Sequence, residues 1–430
     1  MKLGRWFSQR GPGFIRRRAA VLWKRYGLRP GKAQHRLEAC LANLIAHECA
    51  PTLLTPGRVV RRYPLFIRRL QGEGAEIAVH SYDHIDLTAI PAQAAVAQLV
   101  TAARTFERFG LDARGFRCPY LSYRDDLADA LPDGLFRYSS NAAIRWDLNP
   151  MAGNGRGGVV FQTIDTFYQP RESGEVACVP WLRNKLVEIP VCVPDDLQLH
   201  DGLGFGPEAI AEAWIQILHQ THRRGELFSL IFHPELAECC EQPFKAVLRE
   251  ARRLRPAVWV ARLRDISDWW AEKSAFQCAI SQVAAGLRIS LTCSSRATVL
   301  IKGSEPGGIQ EPWDGTYFRV RDRVLEVPFE PRPFVGLAPD VPGGVATFLR
   351  DQGYILDRGA SALRCAVYLD NATSARQGTQ VELVNWIERS AGPLVRYGRW
   401  PAGAKSALCV TGDLDALSLV DYVSRLGVRS

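Results

Sequence analysis

Helical and strand-like hydrophobic patterns alternate along the first 273 residues of the chain. Apolar residues spaced three and four apart predict helices, whereas short apolar runs bounded by turn residues predict buried strands. Helices are predicted over residues 14–48, 59–71, 91–109, 125–130, 207–224, 243–254 and 263–273. Strands are predicted over residues 51–55, 76–79, 136–140, 186–190, 227–233 and 258–261. This order is typical of a parallel α/β architecture.

The pattern changes after residue 274. Short alternating runs such as Leu287–Thr292 and Ala297–Ile301 are separated by Gly, Pro and Ser, which predicts an antiparallel β module. Residues 344–390 return to mixed helix and strand. A buried-strand pattern at Ala407–Gly412 precedes a short amphipathic helix at Leu417–Leu426. We therefore divide the chain into a basic helical segment, an α/β unit, an accessory module and a C-terminal strand with its helix, at residues 1–34, 35–273, 274–399 and 400–430.

The composition is that of a soluble globular protein: 430 residues with 47% hydrophobic content can form two or three domains. The basic run Met1–Arg18 is not followed by the apolar stretch of a secretory signal, and no segment reaches transmembrane length. The eleven cysteines are scattered without a CxxC pair, which disfavours a zinc ribbon or a disulfide scaffold. We expect a cytoplasmic location.

The net charge of +9 raises the question of an anionic partner. The arginines are spread along the chain and no nucleic-acid motif accompanies them, so we expect no nucleic-acid partner. The densest basic stretch, Arg5–Arg29, has aromatic and aliphatic residues interleaved in the manner of a basic amphipathic helix. Either this segment makes a peripheral contact with an anionic membrane, or it is a solvated helix face.

Three strand-like stretches end in polar groups that do not suit a core: His80 with His84, Arg117–Tyr120, and His233. Two imidazoles four residues apart can bind one divalent metal ion if the backbone between them turns suitably. The carboxyl end of a strand is also where α/β folds hold their chemistry. Taken alone, His80 and His84 are equally consistent with ordinary hydrogen-bonded core histidines.

In these stretches the chain resembles the polysaccharide deacetylases of carbohydrate esterase family 4, which share the NodB-homology domain. The matching motifs are HSxxH at His80–His84, RxPY at Arg117–Tyr120, and a late strand that ends in His233. The resemblance covers residues 35 to 272. It implies a distorted (β/α) barrel, here with an inserted β-rich accessory domain.

The family's opening strand, which ends in two carboxylates, is absent from its place upstream of Thr52. A strand followed by two acids occurs instead at Val410–Asp415. We infer a circular permutation in which this C-terminal strand completes the barrel, since domain termini often lie close together. The alternative is that Asp413 and Asp415 lie in an ordinary loop.

The resemblance implies a metal centre formed by Asp415, His80 and His84. Three protein ligands with open positions for water suit a hydrolytic zinc site. We therefore expect one divalent metal ion, with zinc as the first choice and cobalt, manganese or nickel as alternatives.

The resemblance also implies the catalytic residues. Asp413 would accept the proton of the attacking water, and Arg117 would orient Asp413 through a charge-assisted hydrogen bond. The backbone N–H of Tyr120 would stabilise the oxyanion, and His233 would protonate the departing amine.

Weaker candidates surround this set. An acidic turn offers three possible partners for His233, although such a turn is more often only solvated: Asp195, Asp196 and Asp201. Three aromatic residues either stack on sugar rings or serve as packing: Trp146, Tyr168 and Trp181.

The sequence thus predicts a metal-dependent hydrolase that removes N-acetyl groups from a hexosamine-containing glycan or glycan precursor. One alternative keeps the metal and hydrolyses a non-sugar C–N bond on the same fold. Another is a catalytically inactive glycan-binding or scaffold protein, which predicts that Asp413 and Asp415 lie far from His80.

Overall fold

The computed structural model describes residues 23, 25–148, 162, 165–284, 286–303 and 310–426. Most of the basic segment predicted at residues 1–34, with its proposed membrane contact, lies outside these ranges. Among the described helices, none is long and apolar enough to cross a membrane.

The first part of the described chain alternates strands and helices, as the hydrophobic pattern predicts, except over residues 138–193, where six short strands are described and the pattern predicts two. Its strands are β1 Thr52–Thr55, β2 Glu76–Val79, β3 Gly115–Phe116, β4 Tyr138–Ser139, β5 Ala143–Arg145, β6 Arg171–Glu172, β7 Trp181–Arg183, β8 Leu186–Glu188, β9 Val191–Val193, β10 Leu227–Phe232 and β11 Val258–Val260. Its helices are α1 Gly31–Ala46, α2 Gly57–Arg62, α3 Pro64–Gly72, α4 Ala92–Arg108, α5 Leu127–Ala130, α6 Pro207–Arg224, α7 Ala237–Arg253 and α8 Leu263–Ser274.

The remainder is richer in strands. They are β12 Gln277–Val283, β13 Gly286–Thr292, β14 Val299–Lys302, β15 Gln310–Pro312, β16 Phe318–Val320, β17 Val324–Val327, β18 Arg332–Leu337, β19 Leu356–Asp357, β20 Cys365–Leu369, β21 Leu394–Tyr397 and β22 Ser406–Asp413. The helices are α9 Gly343–Asp351, α10 Asn371–Gln377, α11 Gln380–Arg389 and α12 Leu419–Leu426.

A curved, mostly parallel sheet is the scaffold of the first part. Within the described residues it contains nine strands in the order β10-β22-β1-β2-β3-β4-β8-β7, with β11 also paired to β22. The pairing is parallel throughout except between β7 and β8. The predicted α/β class, an open barrel-like sheet with an added β-rich region, is therefore confirmed.

Both faces of this sheet are buried, which explains why its strands are continuous apolar runs. Along β22, Leu408 and Val410 join a core cluster beneath the outer helices α1 to α4, α6 and α7. The alternate residues Ala407 and Cys409 join a second cluster on the other face, which contains the fully buried Trp400. Successive side chains point to opposite faces, so each strand contributes to both clusters.

Several helix boundaries differ from the sequence prediction. In the described part of the helix predicted over residues 14–48, residues 27–30 are not helical and α1 begins at Gly31. The helix predicted over residues 59–71 breaks at Tyr63, whose φ of −130° and ψ of 50° are not helical. Pro64 causes the break, because the ring of a proline disfavours helical geometry in the preceding residue. The helix predicted to start at Pro243 starts at Ala237 and has this proline inside it. Burial of Phe244 and its neighbours against α6 outweighs the one hydrogen bond that the proline removes.

In the part of the β-rich region that the structure describes, the strands form three small sheets. Strands β12-β13-β17 and β15-β16-β14-β21 pair antiparallel, as predicted. Strand β18 departs from that prediction, since it pairs in parallel with both β19 and β20. Helix α9 lies between β18 and β19 in the chain and supplies the crossover that a parallel pair needs.

The chain then returns to the first sheet. Strand β22 lies between β10 and β1 and pairs with both, for example Thr411 opposite both Ile231 and Thr52. Helix α12 follows and lies beside the first described residues. The backbone N–H of Leu419 donates to Gly27 O at 2.8 Å, and the rings of Tyr26 and Tyr422 are 5.4 Å apart.

Candidate functional site

The carboxyl ends of adjacent parallel strands bring the sequence-predicted residues to one edge of the sheet. His80 follows β2, Arg117 follows β3 and His233 follows β10, while Asp413 ends β22 and Asp415 lies just beyond it. The five residues come from four strands within the run β10-β22-β1-β2-β3 of the sheet. Parallel strand ends meet at one edge, so residues far apart in sequence converge there.

His80, His84 and Asp415 form a cluster with ligand atoms within 4.8 Å of one another. Asp415 Oδ1 lies 3.7 Å from His80 Nε2 and 2.8 Å from His84 Nε2. The turn between the histidines uses left-handed backbone at Ser81 and His84, with φ of 56° and 54°. This conformation is costly for non-glycine residues, and it returns the His84 ring to 4.8 Å from that of His80.

The donor set fits a divalent cation. His80 Nδ1 donates to the carbonyl of Arg117 at 2.9 Å, which leaves a lone pair on Nε2 toward Asp415. Burial lowers the pKa of both histidines, that of His84 to about 4, so both are neutral near pH 7, as metal ligation requires. His84 Nε2 thus lies within hydrogen-bonding distance of Asp415 Oδ1.

Arg425 of α12 completes the surroundings of this cluster. Its Nη1 lies 3.0 Å from Asp415 Oδ2 and 3.1 Å from His84 Nδ1. Burial alone would raise the pKa of Asp415, but His84 and Arg425 hold it well below its usual range. Asp415 is therefore anionic at neutral pH.

The buried Arg117 fixes Asp413 beside the cluster. Its Nη1 donates to Asp413 Oδ1 at 2.6 Å and to Thr411 Oγ1 at 3.0 Å, while its Nε and Nη2 donate to the carbonyl and hydroxyl oxygens of Ser140. Asp413 Oδ2 lies 4.0 Å from His80 Nε2. One carboxylate oxygen is thus held by the guanidinium, and the other lies on the side of the histidine pair.

Tyr120 lies at the same edge. It has a φ of 59° in the short turn Pro119–Leu121, and its ring is 5.2 Å from that of His84. Such a left-handed residue on a tight turn is typical of functional sites, where the surrounding structure holds the strained backbone.

His233 is paired with Asp196 rather than with its acidic neighbours. The ring Nδ1 donates to Asp196 Oδ1 and the backbone N–H to Asp196 Oδ2, both at 2.7 Å. Asp195 instead accepts from the hydroxyl of Tyr168, and Asp201 accepts from Arg25. The acidic turn is therefore not simply solvated, because Asp195 and Asp196 are buried.

Electrostatics make His233 a cation at neutral pH. Burial opposes the charge, but the Asp196 carboxylate raises the pKa of His233 well above its ordinary value of 6.5. Burial and the adjacent Asp196 raise the pKa of Asp195 to about 6. The site therefore contains two neutral histidines, His80 and His84, on one side and the cationic His233 on the other.

Of the three candidate sugar-stacking aromatics, Trp146 is a packing residue. It is buried, and the guanidinium of Arg224 lies 5.0 Å from its ring. Tyr168 lies on the His233 side of the site through its bond to Asp195. Trp181 lies in the half-buried antiparallel strand β7.

Two residues of the site were missed by the sequence analysis. Ser140 is the last residue of the predicted strand 136–140 and lies just beyond the observed strand β4, so its polar side chain at a strand end was open to prediction. Arg425 had no such signal, because it lies on a predicted amphipathic helix 341 residues from its partner His84.

Comparison with known families gives one match. Residues 31–135 match a model described as polysaccharide deacetylase. This stretch contains His80, His84 and Arg117 but ends before His233 and the C-terminal acids. No curated protein matches the chain.

Several solved structures are similar to part of the chain. A putative polysaccharide deacetylase from Mycobacterium smegmatis is 21% identical over 56% of this chain and 77% of its own, with a TM-score of 0.42. A probable polysaccharide deacetylase from Pseudomonas aeruginosa PAO1 is 16% identical over 57% and 74%, with a TM-score of 0.44. The PuuE allantoinase is 16% identical over 55% and 72%, with a TM-score of 0.42. The family match of residues 31–135 is therefore the finding that bears on the site.

Asp196→Asn is expected to lower the pKa of His233, since it removes the carboxylate that favours the cation. Because the folded-state pKa is raised, this pair stabilises the fold fully below pH 6.5 and less as pH rises through the folded value. The variant should lose that contribution. NMR titration of the imidazole carbon-bound protons measures the shift. Asp201→Asn is the matched control, since Asp201 pairs with Arg25, and an unchanged His233 titration in Asp196→Asn would contradict the assignment.

Proposed function

We propose that this protein is a metal-dependent hydrolase that removes N-acetyl groups from a hexosamine-containing glycan or glycan precursor. The observation that carries the proposal is the convergence of Asp413 and Asp415 with His80 and His84, beside Arg117. Three of these residues lie in the stretch that matches the polysaccharide deacetylase model. The alternative of an inactive scaffold predicts that Asp413 and Asp415 lie far from His80. The distances of 4.0 and 3.7 Å from His80 Nε2 to their carboxylate oxygens argue against it.

Asp415, His80 and His84 would hold the metal ion. When bound there, a divalent ion supplies Lewis acidity, which makes water a stronger nucleophile near neutral pH and polarises an amide carbonyl. The neutral state of the two histidines and the anionic state of Asp415 support this assignment, because each then offers a lone pair. Zinc is our first choice of metal.

Asp413 is the proposed general base. Arg117 holds its Oδ1, so its Oδ2 faces the histidine pair with a fixed orientation. A base held in this way accepts the proton of water without first having to reorient.

His233 is the proposed general acid. Its Nδ1 proton is engaged by Asp196, which leaves the Nε2 proton of the cation for the departing amine. The raised pKa keeps that proton in place at neutral pH, and an amine leaves poorly without one. We also propose that the backbone N–H of Tyr120 stabilises the oxyanion, as its position beside His84 allows.

We further infer that the chain is a circularly permuted form of the deacetylase domain. Strand β22 pairs in parallel with β1, the position that the family's opening strand would take. The contact of Leu419 with Gly27 supports the inference, because it brings the C-terminal segment next to the beginning of the α/β unit. The cytoplasmic location and the membrane contact of the basic segment stay predictions.

Asp413→Asn is expected to reduce the rate of acetate release from N-acetylglucosamine oligomers by about 10²- to 10⁴-fold, because the amide cannot accept the proton of water. The assay is run with added zinc or cobalt. Asp340→Asn, at an exposed position outside the site, is the control. Equal rates in wild type and Asp413→Asn would refute the role of the base. Ring opening of a cyclic amide without acetate release would favour the non-sugar C–N hydrolase.

Asp415→Ala is expected to lose the bound metal, because it removes the only carboxylate ligand of the proposed set. Metal content is measured by elemental analysis after dialysis of zinc-loaded protein. Asp413→Asn should retain its metal, which separates loss of the base from loss of a ligand. Equal metal content in wild type and Asp415→Ala would exclude Asp415 as a ligand.

A chain in which residues 400–426 precede residue 25 through a flexible linker is expected to fold and to bind zinc like the wild type. The relocated strand can still enter between β10 and β1, whose pairing does not depend on chain order. Circular dichroism and metal content measure the outcome. A rearranged chain that is unfolded with linkers of several lengths would contradict the permutation.

A further inference from the structure

A cavity of about 360 Å³ lies at the other end of the sheet from the candidate site. Arg224 and Glu226, just before β10, form one wall together with Arg399 and Lys405, which precede β22. The β-rich region forms the facing wall, with Gln352 and Tyr317 among its residues. Glu226 and His233 lie at opposite ends of β10. The length of this strand therefore places the cavity about 20 Å from His233.

Three residues of the cavity wall have buried polar atoms without a protein partner. They are Oε1 and Nε2 of Gln352, Oε2 of Glu226 and Nε of Arg399. Each residue is at least nine-tenths buried, with exposures of 0%, 3% and 9%. Buried polar groups are nearly always hydrogen-bonded, so four such atoms at one cavity indicate a place for a polar ligand.

Arg399 also has no close ion-pair partner among the described residues. Its Nη1 donates to the carbonyls of Arg224 and Gly225 at 2.5 and 3.2 Å, and among the described residues no carboxylate lies within 4.0 Å of its guanidinium. Burial and the like charge of Arg396 lower the pKa of Arg399. The carboxylates of Glu226 and Glu388 offset these effects only in part, so the buried guanidinium favours a bound anion.

Other cations around the cavity already have carboxylate partners. Arg224 pairs with Glu226 at 2.8 Å, Arg396 with Glu388 at 2.5 Å, and Lys405 with Asp314 at 3.2 Å. Of the two remaining cations of the wall, Arg223 is exposed to solvent and Arg399 is buried, so Arg399 gains most from an anionic ligand.

The rest of the cavity wall is suited to binding the ring and hydroxyl groups of a sugar. The Gln352 amide offers both a donor and an acceptor, and the free oxygen of Glu226 accepts. Trp313 and Tyr317 add aromatic faces against which the C–H groups of a sugar ring can pack. The cavity volume lies at the lower end of the range of small-molecule sites, about 300–1,000 Å³.

We propose that this cavity binds a monosaccharide that carries one anionic group, a phosphate or a carboxylate. Arg399 binds the anionic group, while Gln352 and Glu226 bind hydroxyl groups. The site is separate from the proposed deacetylase centre, and its ligand is bound rather than hydrolysed. Binding can therefore be measured whether or not the protein releases acetate.

Isothermal titration calorimetry with glucose 6-phosphate, glucuronate and glucose tests the proposal on the full chain. At least one of the two anionic sugars is expected to bind wild type, and whichever binds more tightly identifies the anionic group. Glucose should bind at least about tenfold more weakly, since it lacks the charge. Gln352→Leu and Arg399→Lys should each weaken binding of the anionic sugar by about tenfold or more.

Gln352→Leu keeps the proposal testable if Arg399→Lys fails to fold. It removes an unpartnered buried amide, so its Tm should equal or exceed that of the wild type while its affinity for the anionic sugar falls. Gln282→Leu, at an exposed position of β12, is the control and should leave binding unchanged. No heat of binding for either anionic sugar, equal affinity for glucose, or undiminished binding by Gln352→Leu would overturn the proposal.

Discussion

The parallel pairing of β22 with both β10 and β1 is the constraint on which the rest of the site depends. This one strand fills the sheet between two elements made much earlier in the chain, and it delivers Asp413 to its carboxyl end. The register matters because a slip by one residue would exchange the faces of the strand and bury the wrong side chains. The alternation of Leu408 and Val410 with Ala407 and Cys409 in the two cores fixes that register. The contacts of Arg117 depend on this register, because its guanidinium donates hydrogen bonds to both Thr411 and Asp413 of β22.

Much of this arrangement could be predicted from the sequence. Strand ends marked by His80, Arg117 and His233 stand out because polar groups there have no place in a core. The C-terminal acids were identified because a strand pattern precedes them. The carboxylate partner of His233 could not be predicted. Nothing in the local sequence distinguishes Asp196 from Asp195 or Asp201, because the course of the backbone decides which carboxylate contacts His233. Arg425 reaches the site through helix packing, which leaves no periodic signal.

The helix boundaries show the same limit on a smaller scale. Pro64 ends α2 as its chemistry requires, yet Pro243 lies inside α7. The difference lies in tertiary packing, because Phe244 and Val247 beside Pro243 are anchored in the core. Local rules are reliable where the chain is free to follow them, and less so where burial imposes a geometry. The electrostatic environments of the histidines follow from burial as well: His80 and His84 are neutral, whereas the carboxylate beside His233 makes it a cation. The same side-chain type therefore has two different charge states within one site.

The position of β22 in the chain has a consequence for biosynthesis. The ribosome produces β1 and β10 long before β22, and the whole β-rich region is synthesised in between. Until β22 emerges, these two strands have unpaired edges, which are the surfaces most prone to associate with other chains. Nascent chains of this protein therefore have a longer period of exposed sheet edge than a chain that carries the same strand first. In return, no prematurely terminated product that lacks β22 can assemble the cluster of His80, His84 and Asp415, so the complete site forms only in chains whose translation has passed the accessory region.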